Sequence, residues 1–289
     1  MLEKEVIVRI KEIEIHTKRL LSSVMVGDSR SAKKGSGFSF DQIREYVQGD
    51  DIRFIDWKSS ARMNTLLVKE YTEERSRTIY LLVDASRSMF FSSKEFSKYD
   101  LAAHIASVLA LIARFGKDRV GLYILSEENE VIIPPKQTLH HAHVIMQALL
   151  TQKKSTKNSV IDRMDCIYKN LKKEKAIVFL MSDFLVMPEN KTLAFLSKRH
   201  DIIAIRSLDP YEKKLPTLAT MEIKGHYVQD SYSANFQGVN LFKVNKALEA
   251  RIKDQNCIFR KYKIDVVDVQ TDKPFINELI LFFKKRMMY

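Results

Sequence analysis

Five short apolar runs, separated by segments long enough to be helices, restrict what this chain of 289 residues can become. They are TIYLLVD (Thr78 to Asp84), RVGLYIL (Arg119 to Leu125), AIVFLMSD (Ala176 to Asp183), DIIAIRSL (Asp201 to Leu208) and IDVVDV (Ile264 to Val269). Continuous rather than alternating apolarity marks a parallel strand covered on both faces. Strands alternating with helices of about ten or more residues predict an α/β chain with a doubly wound, mostly parallel sheet. The intervening helices read as Leu101 to Phe115, His140 to Leu150, Val160 to Leu171, a segment ending near Arg199, Leu241 to about Tyr262, and a last one from Phe275. Asp100 is placed to cap the first of these, and Gly116 sits where a C′ glycine would. EVIIPP (Glu130 to Pro135) reads as a hairpin extension of the second run.

Before Thr78 the pattern differs, which divides the chain at residues 1–77 and 78–289. Val6, Ile10, Ile13, Thr17, Leu20 and Val24 recur on one face of an expected N-terminal helix. A polar breaker from Gly27 to Gly37 follows. The next block, FSFDQIREYVQGDDIRFIDWKSSARMNTLLVKEY, holds the sole tryptophan, Trp57, and no long periodic element. Short strands and turns packed against the larger domain are expected there. Within it, Asp50, Asp51 and Asp56 alternate with Arg44, Arg53, Lys58 and Arg62, either a charge-paired lattice or a docking surface. From Asp209 to Gly238 the chain is polar, with a strand pair expected near Ala219 to Tyr227.

Composition removes several function classes. The two cysteines, Cys166 and Cys257, are isolated, so neither a disulfide framework nor a thiolate zinc site is indicated. No run approaches the roughly 18 apolar residues of a membrane span, and the charged start MLEKEVIVRIKEIEI does not read as a signal peptide. A cytoplasmic protein is expected. The formal charge of +12 raises nucleic acid, an anionic membrane or an acidic protein as partner. The basic residues are dispersed, however, and no RNA-binding aromatic signature or zinc-finger spacing accompanies them. Phosphate-loop, HExxH and GxSxG motifs are absent. His140 and His143 share a helix face without a Glu or Cys beside them, and read as an exposed helix start.

The chemistry concentrates where strands end, because ligands of such sheets bind outside the carboxyl ends of the strands. Asp84 and Asp183 each close an apolar run. Ser86 and Ser88 follow Asp84 at two-residue spacing, which lets an extended loop turn three oxygens one way. Ser155 and Thr156, in KKSTKNS, offer a further hydroxyl. Two carboxylates with several neutral hydroxyls suit Mg²⁺, or Mn²⁺ in the same shell. The alternative is that the serines cap a helix while Asp84 pairs with an arginine.

DASRSM resembles the DxSxS of the metal-ion-dependent adhesion site of von Willebrand factor A-like domains. The block from GSGFSFDQIREYVQGDDIRFIDWKSSARMNTLLVKEYTEER, with its GDD.R.IDW and SAR elements, then LLVDASRSM and MSDF, resembles the DUF58 proteins. The likeness runs from about Gly35 to the last helix. It implies a von Willebrand A-like fold and places Asp84, Ser86, Ser88, Thr156 and Asp183 on the five metal positions. Relatives often show Gly-Thr-Asp where this chain has Ser155-Thr156-Lys157. The resemblance further implies a non-enzymatic, cation-dependent protein-binding module, whose open metal position accepts a carboxylate from an acidic protein ligand. It also implies a MoxR-type AAA+ ATPase or its client as partner, in assembly or maturation of complexes. The rival readings are a haloacid-dehalogenase-like phosphatase with Asp84 as nucleophile and a basic nucleic-acid-binding protein. The phosphatase chemistry wants a second acid where this chain has Ser86, and an acidic pair where Asp183 is followed by Phe184.

Overall fold

The computed structural model describes residues 38–73, 76–126, 130–153, 171, 174–213, 215, 221–224, 231–234 and 239–287. The expected N-terminal helix, almost all of the expected helix ending at Leu171, and Thr156 lie outside them. The described residues fall into two compact units that part between Ser76 and Arg77.

In the first unit, β1 (Phe38–Glu45) pairs antiparallel with β2 (Leu67–Glu73), with a register shift between Phe40 and Gln42. Between them lie a 3-10 turn (Ile52–Phe54) and a short helix, α1 (Trp57–Met63), where strands and turns are expected from sequence. Both ends of α1 are set by short polar side chains. The Asp56 carboxylate accepts the Ser59 N–H at 3.3 Å and its hydroxyl at 3.0 Å, and Asn64 closes the helix at φ 56°. Part of the alternating charge pairs within the block. Arg44 grips Asp50 through two 2.7 Å bonds, and Arg53 meets Asp51 at 2.6 Å. Asp56, however, takes Lys69 at 3.3 Å, a partner from β2. The Arg44 guanidinium, helped by the Val47 N–H, holds the Asp50 carboxyl down at about 2. Trp57 is 66% exposed.

The second unit is built on a six-stranded sheet. Its strands are β3 (Thr78–Asp84), β4 (Arg119–Leu125), β5 (Val131–Lys136), β6 (Ile177–Ser182), β7 (Asp201–Leu208) and β10 (Asp265–Gln270). Their spatial order is β10-β7-β6-β3-β4-β5, parallel except for the antiparallel β4–β5 pair. The hairpin expected at EVIIPP is thus formed. Counted along the chain, the order is third-second-first-fourth-fifth-sixth, that of a doubly wound fold whose switch point lies between β3 and β6. The helices are α2 (Lys98–Phe115), α3 (Leu139–Thr151), α4 (Asn190–Arg199), α5 (Pro210–Lys213), α6 (Val239–Lys261) and α7 (Ile276–Met287). A separate antiparallel pair joins β8 (Met221–Lys224) to β9 (Ser231–Ala234), so the second strand lies beyond the stretch expected from sequence.

All seven residues of β3 are buried, and period two divides them. Ile79, Leu81 and Val83 belong to the cluster holding Ile105 and Leu109 of α2. Tyr80 and Leu82 belong to the opposite one, with Leu193 and Leu196 of α4 and Phe259 of α6. The apolarity of LAAHIASVLALIARF has the same cause. One side of α2 faces the sheet, while Val108 and Leu111 meet Ala142 and Met146 of α3.

The ends of α2 correct two expectations. Its N-cap is Ser97, and Asp100 is the third residue of a reciprocal capping box, returning a bond to the Ser97 N–H at 3.1 Å. At the other end Gly116 keeps φ −75°. The left-handed residue is Lys117, φ 58°. Lys117 N–H reaches the Arg114 carbonyl and Asp118 N–H the Ala113 carbonyl, the two bonds of a Schellman motif. Because a Cβ disfavours that conformation, Lys117→Gly is expected to raise stability by about 0.5–1 kcal/mol in urea unfolding. A loss would show that the lysine side chain contributes more than its backbone costs.

Candidate metal centre

Three neighbouring parallel strands deliver acids to one edge of the sheet: Asp84 ends β3, Asp183 follows β6 and Asp209 follows β7. All three are buried. After Asp84 the chain leaves the sheet with the Ala85 N–H on the Leu125 carbonyl at 2.9 Å. Ser86 then stands before a 3-10 turn (Arg87–Phe90), but its hydroxyl makes no capping bond. It lies 3.2 Å from the hydroxyl of Ser88. The capping alternative therefore does not describe Ser86. Among the described residues no arginine pairs with Asp84.

Asp84 instead ties two loops together. Its Oδ1 accepts the Ser86 N–H at 2.8 Å, and its Oδ2 accepts the Ser182 hydroxyl at 2.7 Å. The Ser182 Oγ in turn accepts the Phe184 N–H at 3.0 Å. Phe184 adopts φ 52°, a conformation that costs a non-glycine residue about 1–2 kcal/mol. Its buried ring stands edge-on to Phe259 at 5.0 Å, and its carbonyl accepts Gln255 Nε2 at 2.7 Å. Gln255 is itself fixed by Arg206 at 2.7 Å. This turn aims Asp183, whose Oδ1 accepts the Leu185 N–H at 3.0 Å.

Asp183 Oδ2 carries a different partner, the Lys98 ammonium at 2.7 Å. Lys98 also meets Glu212 Oε1 at 2.5 Å. Asp209 does not join it. Its oxygens accept Ser93 N–H, Ser93 hydroxyl and Tyr211 N–H, each at 2.9 Å, which braces the neighbouring loop.

Electrostatics leave a deficit of positive charge here. Asp84, Asp183 and Glu212 contribute three carboxyls against one ammonium. Burial, and then the charge of Asp183, push the Asp84 carboxyl up to about 6. Glu212 is also raised by burial, against the pull of Lys98. Each carboxylate oxygen engaged by one N–H or O–H keeps a lone pair, and two serine hydroxyls stand next to Asp84. Among the described residues no group of three or more His, Cys, Asp or Glu is arranged to hold a metal. The donors at this edge are two carboxylates, Asp84 and Asp183, and the hydroxyls of Ser86 and Ser88, the oxygen types that a hard divalent cation takes.

Of the five residues expected from sequence, Asp84, Ser86, Ser88 and Asp183 come together at the switch point, while Thr156 lies outside the described residues. Sequence reasoning missed Ser182, Asp209, Glu212 and Lys98. Ser182 stands beside Asp183 in MSDF, and Asp209 follows an apolar run as Asp84 does, so both carried a signal. Nothing in FSSKEFSKYD singles out Lys98. His140 is exposed, at the start of α3, whereas His141 is buried and donates Nε2–H to the Val120 carbonyl at 2.9 Å. No helix among the described residues is long and apolar enough to cross a membrane.

The model of a family described as "Protein of unknown function DUF58" matches residues 42–242. The chain is similar to the uncharacterized protein Rv1480 of Mycobacterium tuberculosis, 24% identical over 96% of this chain and 88% of that protein. It is also similar to the uncharacterized protein YeaD of Bacillus subtilis, 30% identical over 36% of this chain and 24% of that one. Among solved structures, the conserved hypothetical protein BatB from Bacteroides thetaiotaomicron is 12% identical, with TM-score 0.42 over 74% of this chain and 100% of its own. The VWA domain of SpRpn10 is 9% identical, with TM-score 0.37 over 71% and 94%.

Proposed function

Because this chain belongs to the DUF58 family, we propose that it is a non-enzymatic protein-binding module whose grip depends on Mg²⁺ or Mn²⁺. The observation that carries this reading is the convergence of Asp84, Ser86, Ser88 and Asp183 at the switch point, with three carboxyls against one ammonium. Asp84, Ser86, Ser88 and Asp183 would hold the cation, with Thr156 as a fifth donor by resemblance. A cation held mainly by neutral hydroxyls stays electrophilic and accepts a carboxylate from outside. The chain's own part is to keep the donors fixed: Ser182 joins the two strand ends, and the Phe184 turn orients Asp183. The ligand is then an acidic protein, and the family resemblance favours a MoxR-type AAA+ ATPase or its client, with this chain as adaptor in complex assembly or maturation.

The test is binding of a purified MoxR-type ATPase in Mg²⁺ and in EDTA. The complex is expected to form with Mg²⁺, to weaken in chelator, and to be lost in Asp84→Ala and Ser86→Ala while both variants stay folded. Raised salt should slow association, since charge steering is screened over about 8 Å at physiological ionic strength. Binding indifferent to chelator and to both substitutions would refute the cation-dependent reading and turn attention to the exposed face around Trp57.

The phosphatase reading lacks its partner acids: Ser86 stands where that chemistry wants a second acid, and Phe184 follows Asp183 where it wants an acidic pair. The protein is expected to turn over generic phosphoesters no faster than background with Mg²⁺. A robust activity that vanishes in Asp84→Asn would overturn the binding-module reading.

A further inference from the structure

Lys98 is a charged side chain in a place that disfavours it. It is the first residue of α2, where the helix dipole repels cations, and it is 0% exposed. A buried ammonium is stable only when paired and hydrogen-bonded. Its Nζ satisfies that condition with Asp183 Oδ2 at 2.7 Å and Glu212 Oε1 at 2.5 Å, and it lies 5.8 Å from the centre of the Phe91 ring. The first of these partners belongs to the set that would hold the cation. The ammonium therefore lies beside that position and already engages one of the set's two carboxylates. Being wholly enclosed, it is out of reach of an incoming partner's carboxylate.

We propose that Lys98 is a tethered competitor of the divalent cation, holding the acid shell together without metal and setting the site's metal affinity low. The proposal rests on the cation-site reading above. Two effects act in the same direction. The fixed positive charge repels a second cation in a poorly screened interior, and the bond to Oδ2 removes a lone pair that Asp183 would otherwise offer. Glu212 keeps the lysine in place, since Asp183 alone would have to serve both ammonium and metal. A site built this way stays assembled at low cation concentration and loads only when the cation is abundant, or when a partner's carboxylate joins the coordination.

The full chain is tested as wild type, Lys98→Met and Lys98→Met/Glu212→Gln. The double variant removes the ammonium and its second partner together, so the site's net charge is unchanged while Asp183 is released. Mg²⁺ and Mn²⁺ binding are measured by calorimetry and by the shift in melting temperature across a titration. Wild type is expected to bind weakly and the double variant at least tenfold more tightly, with a correspondingly larger shift. Lys98→Met should be less stable than wild type in chelator and should recover in Mg²⁺. If that variant does not fold, the double variant decides. Equal or weaker metal binding by the double variant, in a wild type that does bind, overturns the role of Lys98 and leaves the cation site standing. Absence of binding in both overturns the cation site and this proposal together.

Discussion

Arg206→Met is expected to lower stability by about 3–5 kcal/mol, the cost of breaking a buried, hydrogen-bonded charge pair from one side. The guanidinium is wholly buried. It meets Asp268 of the neighbouring strand at 2.8 and 2.9 Å, Gln255 at 2.7 Å and Asn256 at 3.0 Å. Asp268 is about half exposed and can regain water, which places the loss toward the lower end. Gln255 is buried and cannot, so its Oε1 is left unsatisfied. Methionine keeps most of the volume, which limits the cavity contribution. For a unit of this size a loss of about 3 kcal/mol corresponds to roughly 6–12 °C in melting temperature. The effect should also reach the candidate site, because Gln255 holds the carbonyl of Phe184. Urea unfolding gives the first quantity, and the Mg²⁺-induced shift in melting temperature, expected to shrink, gives the second. A change below about 1 kcal/mol would show that Arg206 is not the keystone the geometry describes.

The second large effect is a pH dependence carried by Asp84. Its carboxyl is raised from 3.8 to about 6 by burial and by Asp183. A carboxyl that is harder to ionise in the folded state stabilises the fold while it stays protonated. That contribution is complete below about pH 3.8 and is lost as pH rises through 6. A rise of that size corresponds to about 3 kcal/mol. Other carboxylates titrate in the opposite sense, Asp50 among them, so the quantity to measure is wild type against Asp84→Asn at each pH. In chelator, wild type is expected to lose about 2.5 kcal/mol relative to Asp84→Asn between pH 4 and pH 8. In millimolar Mg²⁺ the loss should shrink, because a bound cation favours the ionised form and stabilises the native state through mass action. A difference that stays flat with pH in chelator would mean that Asp84 is not held in a cation-poor interior.

Much of the architecture was legible because it depends on local pattern. β3 is buried along its whole length, so its sequence carries no charged residue until Asp84, and strand, loop and carboxylate could be located together. The same reasoning found Asp183 at the end of β6. Helix existence was equally local, but helix ends were not. Ser97 rather than Asp100 caps α2, since the two form a reciprocal pair and spacing alone does not say which is outside the helix. Lys117 rather than Gly116 takes the left-handed position, because the Schellman bonds from Lys117 and Asp118 set the residue that must turn. In the first unit, Asp56 and Asn64 are cap residues that the eye passes over when no long periodic stretch lies between them.

What the sequence by itself determined is the alternation of strands and helices, the doubly wound class, and the four oxygen-bearing residues that converge where β3 and β6 end. Periodicity records which residues must leave water, and burial is a property each strand carries in its own composition. What only the tertiary structure decided is the company those residues keep. Lys98 comes from a polar stretch 85 positions from Asp183 in the chain, and Glu212 from a four-residue helix after β7. Arg206 reaches Asp268 and Gln255 across a strand pairing and a helix contact. Charges act through space and depend on the dielectric around them. The balance of three carboxyls against one ammonium therefore exists only once the sheet brings its strand ends to a common, water-poor edge.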